Sequence, residues 1–219
     1  MDENIELING DSLKLIKYIE DNSVDITFTS PPYNRKRNDK YKLYDDTIDD
    51  YFEFLCNITD QLLRVTKKYV FFNIQKNYYN KEDVFRFIGK YYKEIKEIII
   101  WEKTNPMPAS GNSITNSYEF FIVLGDSSLK SNSTYTKNII TTSVNSEKIN
   151  GHKAVMKLEV AEWFINKFTK ENELVFDPFM GTGTTGVACI KNNRRFKGIE
   201  LVEEYFNTSK NRIKDYIVK

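Results

Sequence analysis

The chain carries 219 residues, 40% of them hydrophobic and 29% charged, with 32 basic and 31 acidic side chains for a formal net charge of +1. That composition describes one globular domain with its own core, and the even charge excludes a surface that grips nucleic acid all over, so any polyanion site is local. A single histidine and two cysteines without ligand spacing (Cys56 and Cys189) speak against a metal centre. No apolar run reaches the roughly 20 residues of a membrane span and the acidic start is unlike a signal sequence, so a cytoplasmic protein is expected.

Ile5 to Ile8 reads as a short strand stopped by Asn9-Gly10, and Asp11-Ser12 caps a short helix with Leu13, Ile16 and Ile19 on one face. Val24 to Phe28 reads as a buried strand running into Thr29-Ser30-Pro31-Pro32-Tyr33-Asn34. Two prolines remove two backbone donors and fix φ, which stops the strand and leaves carbonyls facing outward between a hydroxyl and a flat ring. Such a group can hold a planar molecule bearing an amine, although by itself it is better explained as a turn leaving a sheet. Residues 35–45 read as a loop, and Arg35-Lys36-Arg37 with Lys40 and Lys42 make it basic. A run of this kind is ordinarily solvated; its place beside the Pro-Pro-Tyr stretch singles it out.

Phe52, Leu55, Ile58, Leu62 and Val65 recur at three- and four-residue spacing, which predicts a helix over Asp49–Val65. A strand over Tyr69–Ile74, a helix over Lys81–Tyr91 and strands over Ile95–Trp101 and Tyr118–Leu124 follow. Asp126 to Gly151 is rich in Ser, Thr and Asn and reads as irregular. A helix over Val155–Phe168, a strand over Glu173–Phe176, a helix over Gly183–Asn192, a strand over Phe196–Glu200 and a helix over Val202–Ile217 complete the chain. The alternation predicts a single α/β domain, residues 1–219, with a doubly wound, mostly parallel sheet. Ligands of such sheets sit outside the carboxyl ends of the strands, at the topological switch point.

The second chemically loaded strand end is Asp177-Pro178-Phe179-Met180-Gly181-Thr182-Gly183-Thr184-Thr185-Gly186. Gly181 and Gly183 let the backbone turn sharply and approach a ligand. A carboxylate ahead of the glycines, with no Gly-Lys-Ser/Thr, suits a cationic, unphosphorylated ligand better than a pyrophosphate. Glu200, about 20 residues further on, is placed for ribose hydroxyls. A generic strand-to-helix turn is the plain reading; the two acids together favour a nucleoside-like ligand.

These motifs resemble those of the S-adenosylmethionine-dependent amino-methyltransferases of DNA. The catalytic stretch precedes the cofactor loop, which is similar to the permuted order of the β class. Asn9-Gly10-Asp11-Ser12, Trp101-Glu102-Lys103-Thr104-Asn105-Pro106 and Tyr118-Glu119-Phe120-Phe121 extend the likeness over nearly the whole chain. His152-Lys153-Ala154-Val155-Met156-Lys157 resembles the segment before the cofactor loop, though Lys153, Met156 and Lys157 depart from its usual pattern.

The resemblance implies a seven-stranded sheet and S-adenosyl-L-methionine as cofactor. It places Asp11 at the adenine amine and Glu200 at the ribose. Asp177, Phe179, Gly181, Thr182, Gly183 and Thr184 fall around the methionine part, with Thr29 at the strand end beside them and Met156 as a cover. It assigns catalysis to Ser30, Pro31, Pro32 and Tyr33, acting on a base flipped out of double-stranded DNA. Serine at position 30 leans to cytosine N4 over adenine N6. Arg35, Lys36, Arg37 and Lys40, with residues 126–151 as a short recognition loop, are the expected DNA-facing surface. The same resemblance leaves room for a cognate restriction endonuclease and a homodimer, and implies no metal and no membrane. An RNA or protein-glutamine methyltransferase usually has the opposite motif order, and a non-catalytic nucleotide-binding module would not need Ser30, Tyr33, Asp177 and Glu200 together.

Overall fold

The computed structural model describes residues 3–35, 45–111, 113–144, 149 and 155–217. In chain order the elements are β1 (Ile5–Asn9), α1 (Ser12–Leu15), β2 (Val24–Thr29), α2 (Tyr51–Val65), β3 (Thr66–Ile74), α3 (Lys81–Lys90), β4 (Ile95–Lys103), β5 (Tyr118–Leu124), β6 (Ile139–Thr142), α4 (Leu158–Phe168), β7 (Leu174–Asp177), α5 (Thr184–Lys191), β8 (Arg195–Glu200) and α6 (Glu203–Ile217), with a 3-10 turn over Ile16–Tyr18.

One sheet in the order β1-β8-β7-β2-β3-β5-β4-β6 unites all the strands. Its pairs are parallel except those that β5 makes with β3 and β4. The expected α/β architecture is present, but among the described residues the sheet has eight strands rather than seven. The extra one is β6, parallel to β4 at the edge and inside the stretch expected to be irregular. Its local signal is weak because only Ile140 and Thr142 of its four residues are buried, and pairing with β4 supplies the rest.

The sheet is covered on both faces, which is why its central strands read as continuous apolar runs. Phe28 of β2, Phe71 of β3 and Phe121 of β5 point to the α4–α6 face and meet Phe164 at ring-centroid distances of 5.0, 5.1 and 4.2 Å. Val70, Phe72 and Ile74 of β3 point the other way, onto Leu55, Ile58 and Leu62 of α2. The α2 stripe forms because those apolar positions share one helical face; Asp50 starts the helix by accepting from the Glu53 amide at 2.9 Å.

The switch point lies between β2 and β7. These strands pair in parallel at Ile26–Val175 and Thr27–Phe176, with β8 and β1 beyond β7 on one side and β3, β5, β4 and β6 beyond β2 on the other. Both loaded strand ends therefore open at the same edge of the sheet, beside each other although 148 residues apart.

Candidate active site

The backbone beyond β2 is held by donors from three elements. The Tyr51 hydroxyl at the start of α2 donates to the Pro32 carbonyl at 2.7 Å. The Asn77 and Asn80 side-chain amides both donate to the Tyr33 carbonyl at 2.8 Å. Among the described residues no donor reaches the Pro31 carbonyl, so of three successive carbonyls that one is free to accept from a ligand. Asn34 then adopts a left-handed conformation (φ 48°), tolerated best by residues with a short polar side chain. Its side chain donates to the Ile48 carbonyl and accepts from the Ile48 amide, both at 3.1 Å, which ties the end of the Pro-Pro-Tyr stretch to the segment leading into α2.

Behind Ser30 lies a polar network. Ser30 Oγ is 2.8 Å from the Tyr33 hydroxyl and 3.2 Å from Asn73 Oδ1. The Tyr33 hydroxyl reaches both Asn73 Oδ1 and Glu119 Oε2, the latter at 3.0 Å. Asn73 is fully buried and its amide donates to the Phe120 carbonyl at 3.0 Å, which leaves its oxygen facing the hydroxyls. Glu119, itself buried, is paired with Lys103. Burial, with the Glu119 charge adding to it, pushes the Tyr33 phenol well above its ordinary range, so it remains protonated.

Two hydroxyl protons thus face two groups that can only accept, an amide oxygen and a carboxylate. Tyr33 gives its proton to one of them, and Ser30 gives its own to Tyr33 or Asn73. The remaining lone pairs of Ser30 Oγ are left for the cavity side. Asn73 was not singled out from the sequence, and Glu119 and Lys103 were given no role at the site, because they sit on neighbouring strands and reach Ser30 only through sheet pairing.

At the other strand end, the Asp177 carboxylate is spent on the protein. It accepts from Thr29 Oγ1 at 2.8 Å, Thr185 Oγ1 at 2.6 Å and the Phe179 amide at 3.1 Å. Burial raises its carboxyl to about 6, against the opposing pull of those three donors. Thr29 and Asp177 are therefore the brace between the two loaded ends. Gly181 (φ 52°) and Gly183 (φ 82°) make the turn, and a Cβ on Gly183 would lie 2.8 Å from that of Ser209. Glu200 accepts from the Gly181 amide at 2.8 Å and the Val202 amide at 2.9 Å, and its burial raises its carboxyl above the usual range.

Between these ends lies a cavity of about 370 Å³, within the range of small-molecule sites. Of the residues singled out in the sequence, Asp11, Ser30, Pro31, Pro32, Tyr33, Arg35, Phe179, Gly181 and Glu200 line it. Thr29, Asp177, Thr182, Gly183 and Thr184 do not. They hold the wall from behind, Thr182 through its carbonyl and hydroxyl, which accept from Arg212 at 2.6 and 3.1 Å. Met156 packs against the core on the α4 face rather than over the cavity. Lys36, Arg37 and Lys40 lie outside the described residues. Asp46, Ile48 and Phe54 line the cavity without having been singled out. Phe54 stands 5.9 Å from Phe179 as a second aromatic wall.

The DNA methylase family model matches residues 24–211. The Type II methyltransferase M2.LlaDCHI of Lactococcus lactis subsp. cremoris is 29% identical over 241 residues, covering 96% of this chain and 90% of that protein. The Type II beta methyltransferase M.BslI of Bacillus sp. (strain NEB-606) is 28% identical over 252 residues; this chain is covered to 95% but spans 27% of that protein's length. Among solved structures, the cytosine-N4-specific PvuII DNA methyltransferase superposes with a TM-score of 0.79 at 18% identity, over 98% of this chain and 91% of that one. The M1.HpyAVI–SAM complex superposes with a TM-score of 0.70 at 26% identity, over 95% and 98%. Matched over most of its length, and with its Ser-Pro-Pro-Tyr stretch ahead of its glycine loop, the chain belongs to the DNA methylase family as a β-class amino-methyltransferase.

Proposed function

We propose that the protein moves a methyl group from S-adenosylmethionine to the exocyclic amine of a base flipped out of double-stranded DNA, and that the base is cytosine, methylated at N4. The observation that carries this is the pair of acceptors left open at the end of β2. Ser30 Oγ has its proton committed inward, the Pro31 carbonyl is free among the described residues, and both line the cavity.

The residues of the cavity fit the cofactor. Asp11 would accept from its adenine amine and Glu200 from its ribose hydroxyls, while Phe179 and the tightly turned Gly181 would flank its methionine part. When bound, the cofactor supplies an electrophilic methyl group on a positively charged sulfur. The chain's own contribution is made at the amine. That nitrogen is a poor nucleophile because its lone pair is delocalised into the ring. Two acceptors on its N–H groups favour a pyramidal nitrogen and stabilise the positive charge it develops, an electrostatic arrangement set before the reaction begins. The walls of the cavity hold the amine in line. Bringing the base into reach costs roughly a few kcal/mol of unstacking.

Cytosine is supported by the serine at position 30, which the family resemblance associates with cytosine N4, and by the cytosine-N4 specificity named for the PvuII enzyme, whose fold this chain shares. Incubation of the purified protein with DNA and labelled S-adenosylmethionine, followed by mass spectrometry of the nucleosides, tests the proposal. Labelled N4-methylcytosine is expected. N6-methyladenine would overturn the choice of base, and unlabelled DNA would overturn the reaction. The Type II designation of the relatives supports a cognate restriction endonuclease as the biological partner, checked by whether the methylated DNA resists that endonuclease.

A further inference from the structure

Asp46 lies in the cavity wall on the segment that Asn34 ties down through Ile48. Its residue exposure is 5%, and its two oxygens are in unlike situations. Oδ2 accepts from the Arg35 amide at 2.9 Å, whereas Oδ1 is buried with no hydrogen-bond partner among the described residues. The nearby Arg35 guanidinium is engaged elsewhere, on Gln75 and over the Tyr33 ring at 5.4 Å. A buried carboxylate oxygen left in this state is costly unless a ligand completes it.

The two molecules proposed to enter the cavity differ in what they offer such an oxygen. A flipped cytosine or adenine has donors only on its exocyclic amine, and Ser30 Oγ and the Pro31 carbonyl take both. Its remaining ring edge presents acceptors that a carboxylate would repel. DNA phosphates are repelled likewise. S-adenosylmethionine carries one group matched to a lone carboxylate oxygen and not yet assigned a partner here, the α-ammonium of its methionine part.

We infer that Asp46 Oδ1 is the acceptor for the cofactor's α-ammonium, so that the cavity reads the ligand with three acids, Asp11, Glu200 and Asp46. This rests on the reading of the cavity as an S-adenosylmethionine site.

The test is calorimetric titration of the wild type and Asp46→Asn with three ligands, without DNA and without turnover. S-adenosylmethionine has the ammonium and the sulfonium; S-adenosylhomocysteine has the ammonium alone; methylthioadenosine has neither. Asparagine preserves the shape and the bond from the Arg35 amide but removes the charge. The expected result is a loss of about 10- to 100-fold in affinity for the first two ligands, the worth of a hydrogen bond to a charged group, with methylthioadenosine unchanged. Unchanged binding of S-adenosylmethionine by the variant would overturn the assignment. So would an equal loss for all three ligands, which marks a collapsed pocket, or a loss confined to S-adenosylmethionine, which places the carboxylate at the sulfonium. If the wild type itself bound none of the three, the cofactor reading would fall and not merely the role of Asp46.

Discussion

A hydroxyl has one proton and two lone pairs, and at Ser30 the face it shows to the cavity is decided by residues a substrate would not touch. Glu119 is a positioning residue in this sense: it draws the Tyr33 proton inward, and Tyr33 in turn can accept the proton of Ser30. Glu119→Gln keeps the volume but offers an N–H that can turn toward Tyr33 and reverse the order of donors. Turnover is expected to fall by roughly 10- to 100-fold with cofactor affinity unchanged, the scale of one charged hydrogen bond. An equal fall in cofactor affinity would reduce Glu119 to a structural role. Ser30→Ala removes the acceptor itself and is expected to lower turnover by about 100- to 1,000-fold, read in single-turnover methylation.

Asp177 shows its burial in a different measurement. Its carboxyl rises from 3.8 to about 6 in the folded chain, so the native state holds a proton there that the unfolded state has already lost. Its contribution to stability is greatest below about pH 4 and is lost as pH rises through about 6. Asp177→Asn has no such titration. Its stability relative to the wild type is therefore expected to improve between those values and then level off, in denaturant unfolding followed against pH.

The elements divide by how locally they are encoded. Helix α2 and the central strands were legible because their apolar positions repeat within each segment and are buried where the pattern says. The glycine loop was legible because only a sharp turn explains Gly181 and Gly183 after Asp-Pro. What was not legible depends on pairing. Edge strand β6 exists through β4, Asn73 and Glu119 acquire their roles from the register of β3 against β5, and Asp46 enters the wall because Asn34 clasps Ile48.

Two elements also carry predictions. Helix α4 is held by Phe164 among Phe28, Phe71 and Phe121, and Phe164→Ala is expected to cost about 3–5 kcal/mol in denaturant unfolding. Arg35 follows Asn34, and its guanidinium rests on Gln75 and the Tyr33 ring beside the cavity. If it also meets a phosphate when DNA binds, Arg35→Ala lowers the slope of log affinity against log salt by about one. An unchanged slope would leave Arg35 as a brace for Tyr33 alone.

At the scale of the molecule, the sheet joins β1, β8 and β7 to β2 and the strands beyond it at the β2–β7 seam. Only two residue pairs register there, supported by the Leu174 amide donating to Asp25 at 2.8 Å, the Lys68–Glu173 ion pair and the bond from Thr29 to Asp177. The cavity straddles that line, with Ser30 and Tyr33 on one side and Phe179, Gly181 and Glu200 on the other. A ligand filling it is therefore a rivet as well as a reactant, since melting the seam requires the ligand to leave. At a hundredfold excess over its dissociation constant it adds about 2.7 kcal/mol, which for a chain of this size raises the melting temperature by roughly 5–10 °C. Thr29→Val, which cuts the Thr29–Asp177 bond without touching the cavity, should leave the seam more dependent on that rivet. Its melting temperature without ligand is expected to fall, and the ligand to restore most of the loss.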